Sequence, residues 1–402
     1  MMKSKLLLLS VFIVTGTVIG FYPLVPNVQA NLGQMTHIDL KLPAEQQMID
    51  QGGLLARPKI QLAILLDTSS SMNGLLDQAR NQLWQVVNEF SESTQNGIKP
   101  LLEVAVYEYG NSGLARTNGF TRQLTGLTQE LDSVSEALFS LTTNGGDEYC
   151  GYVINSAVSE LSWSSRDGDI KAIFIAGNEP FTQGPVAFKT AMVSAREKGI
   201  TVSTIHAGNY QQGVSNGWQQ AALLAGGDYM SIDHNIKVAH LVAPQDKKIA
   251  ELNSKLNQTY IPYGKDGQKK ADRQRTQDSL SAGISAGLMA KRVRAKISQM
   301  YQSSSWDLVD AMEDGSIALD SIEEAELPAA MQDMDAAERT DYVAGKLKAR
   351  QEIKQEIRNL SEKRGVYVAE QEALLPAAAP SVSSALSQSI RNQGESKNYV
   401  FQ

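Results

Sequence analysis

The residues with the most chemistry to offer lie in one short run. Asp67, Thr68, Ser69, Ser70 and Ser71 follow a largely apolar stretch at residues 59–66. A carboxylate and two hydroxyls at alternate positions of a tight turn converge on one point, and hard divalent cations take oxygen ligands of this kind. Mg2+ in particular keeps waters beside one or two carboxylates. Read as local structure alone, Asp67 and Ser69 are turn and N-cap residues ahead of a helix.

The elements around this run decide whether its oxygens can be presented. KIQLAILLD at 59–67 reads as a buried strand, and Leu75, Ala79, Leu83, Val86, Val87 and Phe90 then recur at helical spacing. Further strands are predicted at 101–110, 170–177, 200–208 and 229–232, with helices at 129–141, 149–161, 186–198 and 218–225. This alternation predicts an α/β fold with a doubly wound, mostly parallel, Rossmann-like sheet and helices on both faces. Such sheets bind ligands beyond the carboxyl ends of their strands. The segments after Leu66, Leu141 and Ile175 are therefore the ones that matter.

Strand, D-x-S-x-S turn and amphipathic helix together resemble the von Willebrand factor type A domain, a family that carries this motif as its metal-ion-dependent adhesion site. The resemblance covers about residues 58–240. It implies that Asp67, Ser69 and Ser71 hold a divalent cation, Mg2+ or in its stead Mn2+ or Ca2+, directly or through water. In its second metal loop the family places a threonine after paired glycines. Here the run is TTNGGDEYCG, with Asp147 at that position, Glu148 next, and Thr142 and Thr143 earlier. The third loop usually reads T-D-G, but IFIAGNEPF puts Ala176, Gly177 and Asn178 there, with Glu179 beyond. The resemblance thus implies Asp147 as a second carboxylate ligand, and Glu148 and Glu179 as groups behind the ion. Two carboxylates neutralise a divalent ion and make it less avid for a carboxylate from a partner. The altered pattern is compatible with a weakened grip on acidic partners, a mainly structural metal, or a metal-free site. NGGDEYCG and FIAGNEPFTQGPV resemble a bacterial exported branch of the family.

Composition bounds the rest. The chain has 402 residues, 42% hydrophobic and 20% charged, with Cys150 as the sole cysteine. These values exclude a wholly disordered chain and a disulfide-stapled scaffold. A formal charge of −7 argues against nucleic-acid binding, which needs a basic footprint. Lys3 and Lys5, an apolar run at 6–19, then Gly20, Pro23 and Pro26, and Val28-Gln29-Ala30 make the three parts of a secretory signal at 1–30. The expected location is exported, either periplasmic or extracellular. The expected organisation is an N-terminal segment at 31–57, the type A-like domain at 58–242, a charged α-helical domain at 243–375, and a flexible tail at 376–402 rich in Ala, Ser, Pro and Gln.

Catalysis has little support in the sequence. His37, His206, His234 and His240 are scattered, and Ser69, Ser70 and Ser71 have no evident His and acid partners. No phosphate-binding G-x-x-x-x-G-K-[ST] loop or H-E-x-x-H pair is present. The chain reads as a non-catalytic exported binding protein that uses its cation site against a protein or cell-envelope partner. A metal-free envelope scaffold acting through the helical domain is the alternative. A metal-dependent hydrolase assembled from Asp67, Asp147, Glu148 and Glu179 is a further one.

In the helical half the charges segregate. Residues 265–296 carry nine Lys and Arg against Asp266, Asp272 and Asp278, whereas 307–341 carry twelve carboxylates and Arg339 alone. Two helices side by side with complementary charge would explain this, as would a basic face for an anionic envelope polymer or lipid surface. One helix is predicted over about 268–301, with Ala282, Gly283, Ala286, Gly287 and Ala290 allowing close helix approach. Asp335 and Glu338 form a capping box opening a long helix to about residue 369. Its stripe of Val343, Leu347, Ile353, Ile357 and Leu360 suits a bundle, or a coiled coil and helix-mediated self-association.

Overall fold

The computed structural model describes residues 57–232, 241–374 and 382–401. The proposed signal at 1–30, the segment up to residue 56, and His37, His234 and His240 lie outside the described residues.

Strand β1 (Lys59–Asp67) sends alternate side chains to two different cores. Ile60, Leu62 and Leu66 pack on one side, and Ala63 and Leu65 on the other. A strand buried on both faces reads as a continuous apolar run, which is why 59–67 was legible. Helix α1 (Asn73–Phe90) covers the first face, followed by the short β2 (Thr94–Gln95) and by β3 (Leu101–Tyr109). Next come β4 (Thr121–Thr128), α2 (Leu131–Ser140), α3 (Cys150–Glu160), β5 (Ile170–Gly177), α4 (Phe188–Glu197) and β6 (Thr201–Ala207). Helices α5 (Tyr210–Ser215) and α6 (Trp218–Leu224) and strand β7 (Gly226–Ile232) finish the α/β part. The sheet order is β4-β3-β1-β5-β6-β7, parallel except for β4, which runs antiparallel to β3. Strand β4 was not expected: TRQLTGLT is mostly polar and half-exposed, so it lacks the apolar run that marks the other strands.

Helices α7 (Asp246–Asn257), α8 (Gly267–Ile284), α9 (Ala286–Lys296), α10 (Leu308–Glu313), α11 (Ala329–Gln332) and α12 (Ala336–Glu372) follow the sheet. The capping box of α12 is present, with the Asp335 carboxylate accepting from Glu338 N–H and the Glu338 carboxylate from Asp335 N–H, both at 2.9 Å. The single helix expected over 268–301 is two. Ser285 is extended and its Oγ accepts the Leu288 N–H at 3.0 Å, capping α9 where α8 ends.

The helical region packs on α1 and α2. Asn88 Nδ2 donates to the Lys291 carbonyl at 2.8 Å, and the Arg292 guanidinium lies 4.6 Å from the Trp84 ring centroid. The charge segregation has different partners from those expected. Lys270 and Arg273 pair with Glu130 and Glu136 of the α/β part, while Asp307 and Asp310 pair with Arg350.

The expected flexible tail is corrected for its described residues. Helix α13 (Val382–Glu395) returns to the sheet, and β8 (Tyr399–Val400) pairs antiparallel with β2. Leu386 and Ile390 join the core that holds Leu62, Phe174 and Ile205. The amphipathic pattern was hidden because serines stand at buried positions. Ser389 Oγ lies 2.8 Å from Ser203 Oγ, and Ser387 Oγ bonds the Glu89 carboxylate. Among the described residues no helix is long and apolar enough to cross a membrane.

Candidate functional site

Asp67 ends β1 at the point where strand order reverses, with β3 on one side and β5 on the other. This crevice beyond the carboxyl ends is where doubly wound sheets hold ligands. Asp67 is fully buried, and its Oδ1 accepts the Ser69 N–H at 2.7 Å, closing the turn. Ser69 Oγ and Ser71 Oγ stand 3.4 Å apart, and Asn178 Nδ2 donates to Ser71 Oγ at 3.2 Å. Thr68 faces away, donating its hydroxyl to the Glu108 carboxylate at 3.2 Å.

The second loop is laced to this turn. Ser70 N–H donates to the Gly145 carbonyl at 2.9 Å, Gly145 N–H returns to Ser70 Oγ at 2.8 Å, and Asn144 N–H donates to the Thr68 carbonyl at 2.9 Å. Arg80 on α1 reaches the carbonyls of Leu138 and Leu141 at 3.0 and 2.7 Å, fixing the start of the loop. After the glycines the backbone carries no helix or strand until Cys150, so adjacent side chains take different directions.

That decides which carboxylate enters the site. Glu148 is buried, at 2% exposure, and its side chain lies beside the Asp67 carboxylate, both of them against Gly110. Asp147 is exposed, and its side chain makes no hydrogen bond or ion pair among the described residues. The expectation that Asp147 supplies the second carboxylate is therefore corrected by one residue. Glu179 stands farther out, with Gln183 Nε2 donating to its Oε2 at 3.4 Å, yet near enough to act electrostatically on both Asp67 and Glu148.

The pair is tightly enclosed. A Cβ at Gly110, whose φ is +80°, would lie 2.8 Å from Glu148 Cγ and 2.9 Å from Asp67 Oδ1. One at Gly177 would lie 2.4 Å from the Tyr109 hydroxyl and 3.1 Å from Asp67 Oδ2. Both positions need glycine: at Gly110 the Glu148 and Asp67 side chains, and at Gly177 the Tyr109 hydroxyl, occupy the space a side chain would take. Tyr109 OH donates to the Ala176 carbonyl at 3.0 Å and is 3.8 Å from Cys150 Sγ, which places the lone thiol in the core behind the site.

Burial, and then the neighbouring Asp67 carboxylate, push Glu148 up to about 9. Burial also raises Asp67. Asp67 Oδ2 and Glu148 Oε2 are buried and receive no hydrogen bond, and Asn178 Oδ1 at the end of β5 is in the same condition. Two adjacent buried carboxylates cannot both remain charged without a counter-ion, so they share a proton or hold a cation. The donor set is all oxygen, as a hard cation requires, and the residues fit such an ion. His206 takes no part. It is buried beside Trp218, with Nε2 3.2 Å from the Asn178 carbonyl.

No family model matches the chain, and no curated protein matches it. Solved structures do. Proximal thread matrix protein 1 from the mussel byssus, in a form with a zinc-occupied metal-ion-dependent adhesion motif, matches at 15% identity and a TM-score of 0.35. The match covers 44% of this chain and 43% of that protein. BatB from Bacteroides thetaiotaomicron matches at 18% identity and a TM-score of 0.33, over 43% of this chain and 90% of that one. The SpRpn10 VWA domain matches at 13% identity and a TM-score of 0.31, over 43% and 88%. Residues 57–232 thus have a doubly wound fold, with a D-x-S-x-S turn at the end of β1, that is similar to von Willebrand factor type A domains.

Proposed function

We propose that this chain is an exported binding protein whose type A-like domain holds a divalent cation and uses it against a protein or cell-envelope partner. The observation that carries the reading is the buried, enclosed pair Asp67 and Glu148, each with an oxygen that no protein donor reaches. Asp67, Ser69, Ser71 and Glu148 would hold the ion, Mg2+ or a similar one, with Glu179 behind them. When bound, the ion would neutralise the two carboxylates and offer Lewis acidity to an oxygen of the partner. Glu148 removes the charge deficit that would draw a carboxylate, and exposed Asp147 adds further negative charge nearby. The partner group favoured here is a neutral oxygen donor. Export rests on the signal pattern at 1–30.

Calorimetric titration of the protein with Mg2+ and Mn2+, repeated for Asp67→Ala, tests the reading. Heat in the parent that vanishes in the variant supports it; equal heats end it at this site. One observation favours a second reading. With Glu148 raised to about 9, the pair can hold a proton at neutral pH in place of an ion. The chain would then be a metal-free envelope scaffold working through its helices, by self-association or on an anionic polymer. Absence of heat in the parent selects that reading.

A further inference from the structure

We infer that Gln183 is a positioning residue that selects Glu148, and not Asp147, as the carboxylate turned toward Asp67. The inference rests on the ion-site reading above. The Gln183 side chain joins the second and third loops. Its Oε1 accepts the Glu148 N–H at 3.2 Å, and its Nε2 donates to Glu179 Oε2 at 3.4 Å. One amide therefore holds the backbone of one acidic residue and the side chain of another.

The third loop is rigid enough to serve as the anchor. Phe181 is fully buried, edge-on to Phe188 and Trp218 at 5.3 and 4.8 Å between ring centroids, and its N–H donates to the Asn216 carbonyl at 2.9 Å. Trp218 Nε1 donates to the Glu179 carbonyl at 2.8 Å. Gly184, with φ +91°, lies against the Tyr149 ring, where a Cβ would come within 2.5 Å of Cγ. The loop is thus seated on the residue next to Glu148.

On the other side, Gly145 and Gly146 both have positive φ, at 68° and 155°. Glycine at these two positions leaves their φ and ψ free of side-chain constraint, so local chemistry alone does not fix the direction in which the chain enters the Asp147–Glu148 segment. A hydrogen bond to the Glu148 N–H sets the orientation of that peptide and, through it, which neighbouring side chain points inward. Groups that orient ligands typically cost about 10–100-fold in metal affinity when removed.

The test uses the whole protein with two variants, Gln183→Met, which keeps the length and removes both polar atoms, and Gln183→Glu, which keeps the acceptor for the Glu148 N–H. Two readouts are taken: Mn2+ affinity by calorimetry, and hydrogen exchange of the Glu148 amide in chelated buffer. Q183M should lower Mn2+ affinity about 10–100-fold and release the amide to faster exchange. Q183E should keep the amide protected. In the Q183M background, Asp147→Asn should lower affinity further, since Asp147 can then reach the ion; in the parent it should not. Unchanged Mn2+ affinity in Q183M overturns the inference, as does an unchanged exchange rate. If the parent takes up no Mn2+, the ion reading fails separately. Loss of amide protection in Q183M then still supports the Gln183 anchor, and retained protection overturns it.

Discussion

Two clusters of buried carboxylates in this chain have opposite surroundings. In the helical region Asp278 accepts from Arg292 Nε at 2.6 Å, Lys296 Nζ at 2.9 Å, and the side-chain amides of Asn253 and Asn257 at 2.8 and 2.7 Å. Arg292 also pairs with Asp132 of the α/β part at 2.8 Å, and Tyr301 donates to the same carboxylate. At the strand ends Asp67 and Glu148 meet with no side-chain cation between them and two oxygens without donors. The first cluster is electrically complete within the fold and ties the helices to α2. The second is completed only by something from outside, a proton or an ion. Burial marks both; the supply of cations separates a structural cluster from a binding one.

The largest expected effect would come from opening the complete cluster. Arg292→Met leaves Asp278 and Asp132 buried with part of their charge uncompensated, and should cost about 3–5 kcal/mol in urea unfolding. Asp67→Asn, in chelated buffer, should be neutral or stabilising, because it removes a carboxylate that burial disfavours and that no side-chain cation compensates. A similar cost for both substitutions would erase the contrast.

Next in size is the ion itself. Glu148→Gln should reduce Mn2+ affinity by more than about 100-fold, beyond the upper end of what orienting groups cost. Retained affinity in this variant would remove Glu148 from the site.

The contrast also predicts opposite pH dependences. Burial followed by Asp67 raises Glu148 from its usual 4.5 to about 9, so the native state binds more protons than the unfolded chain between those values. Stability without metal should therefore be fully present below about pH 4.5 on this account and fall as pH rises toward 9, by at most about 1.4 kcal/mol per pH unit. Saturating Mn2+ should flatten that slope. Burial alone would raise Asp278, but Lys296 and Arg292 override it and hold its carboxyl well below the usual 3.8. Its contribution is present above that value and is lost as pH falls further below it. Urea midpoints across pH, for the parent and for E148Q, check both signs, since only the slope between about pH 4.5 and 9 should disappear in the variant.

The smallest effect sharpens the one-residue correction. Asp147→Asn should change Mn2+ affinity by no more than about twofold, as for an ordinary exposed substitution. A large loss in calorimetric affinity would put Asp147 back at the ion.

Much of this architecture is written locally. The run from Lys59 to Asp67, the helical spacing from Leu75 to Phe90 and the Asp335–Glu338 capping box depend on residues close in the chain, and each forms as its pattern requires. The D-x-S-x-S turn belongs to the same class, since Asp67 bonds the N–H two residues on. What escaped the sequence depends on distant partners. Helix α13 is polar by composition and is ordered by a sheet face about 180 residues earlier, at Ser203. Lys270, Arg273 and Arg292 find carboxylates in α2 and at Glu130 just before it, a pairing that charge counts along the chain do not reveal.

That a carboxylate and hydroxyls stand at the end of a buried strand follows from local order alone, because alternation and turn chemistry act over a few residues. That Glu148 and not Asp147 faces Asp67 depends on contacts between segments far apart in the chain. After two glycines the local backbone has no preferred facing, so contacts from Ser70, Arg80 and Gln183, each remote in the chain, settle the direction.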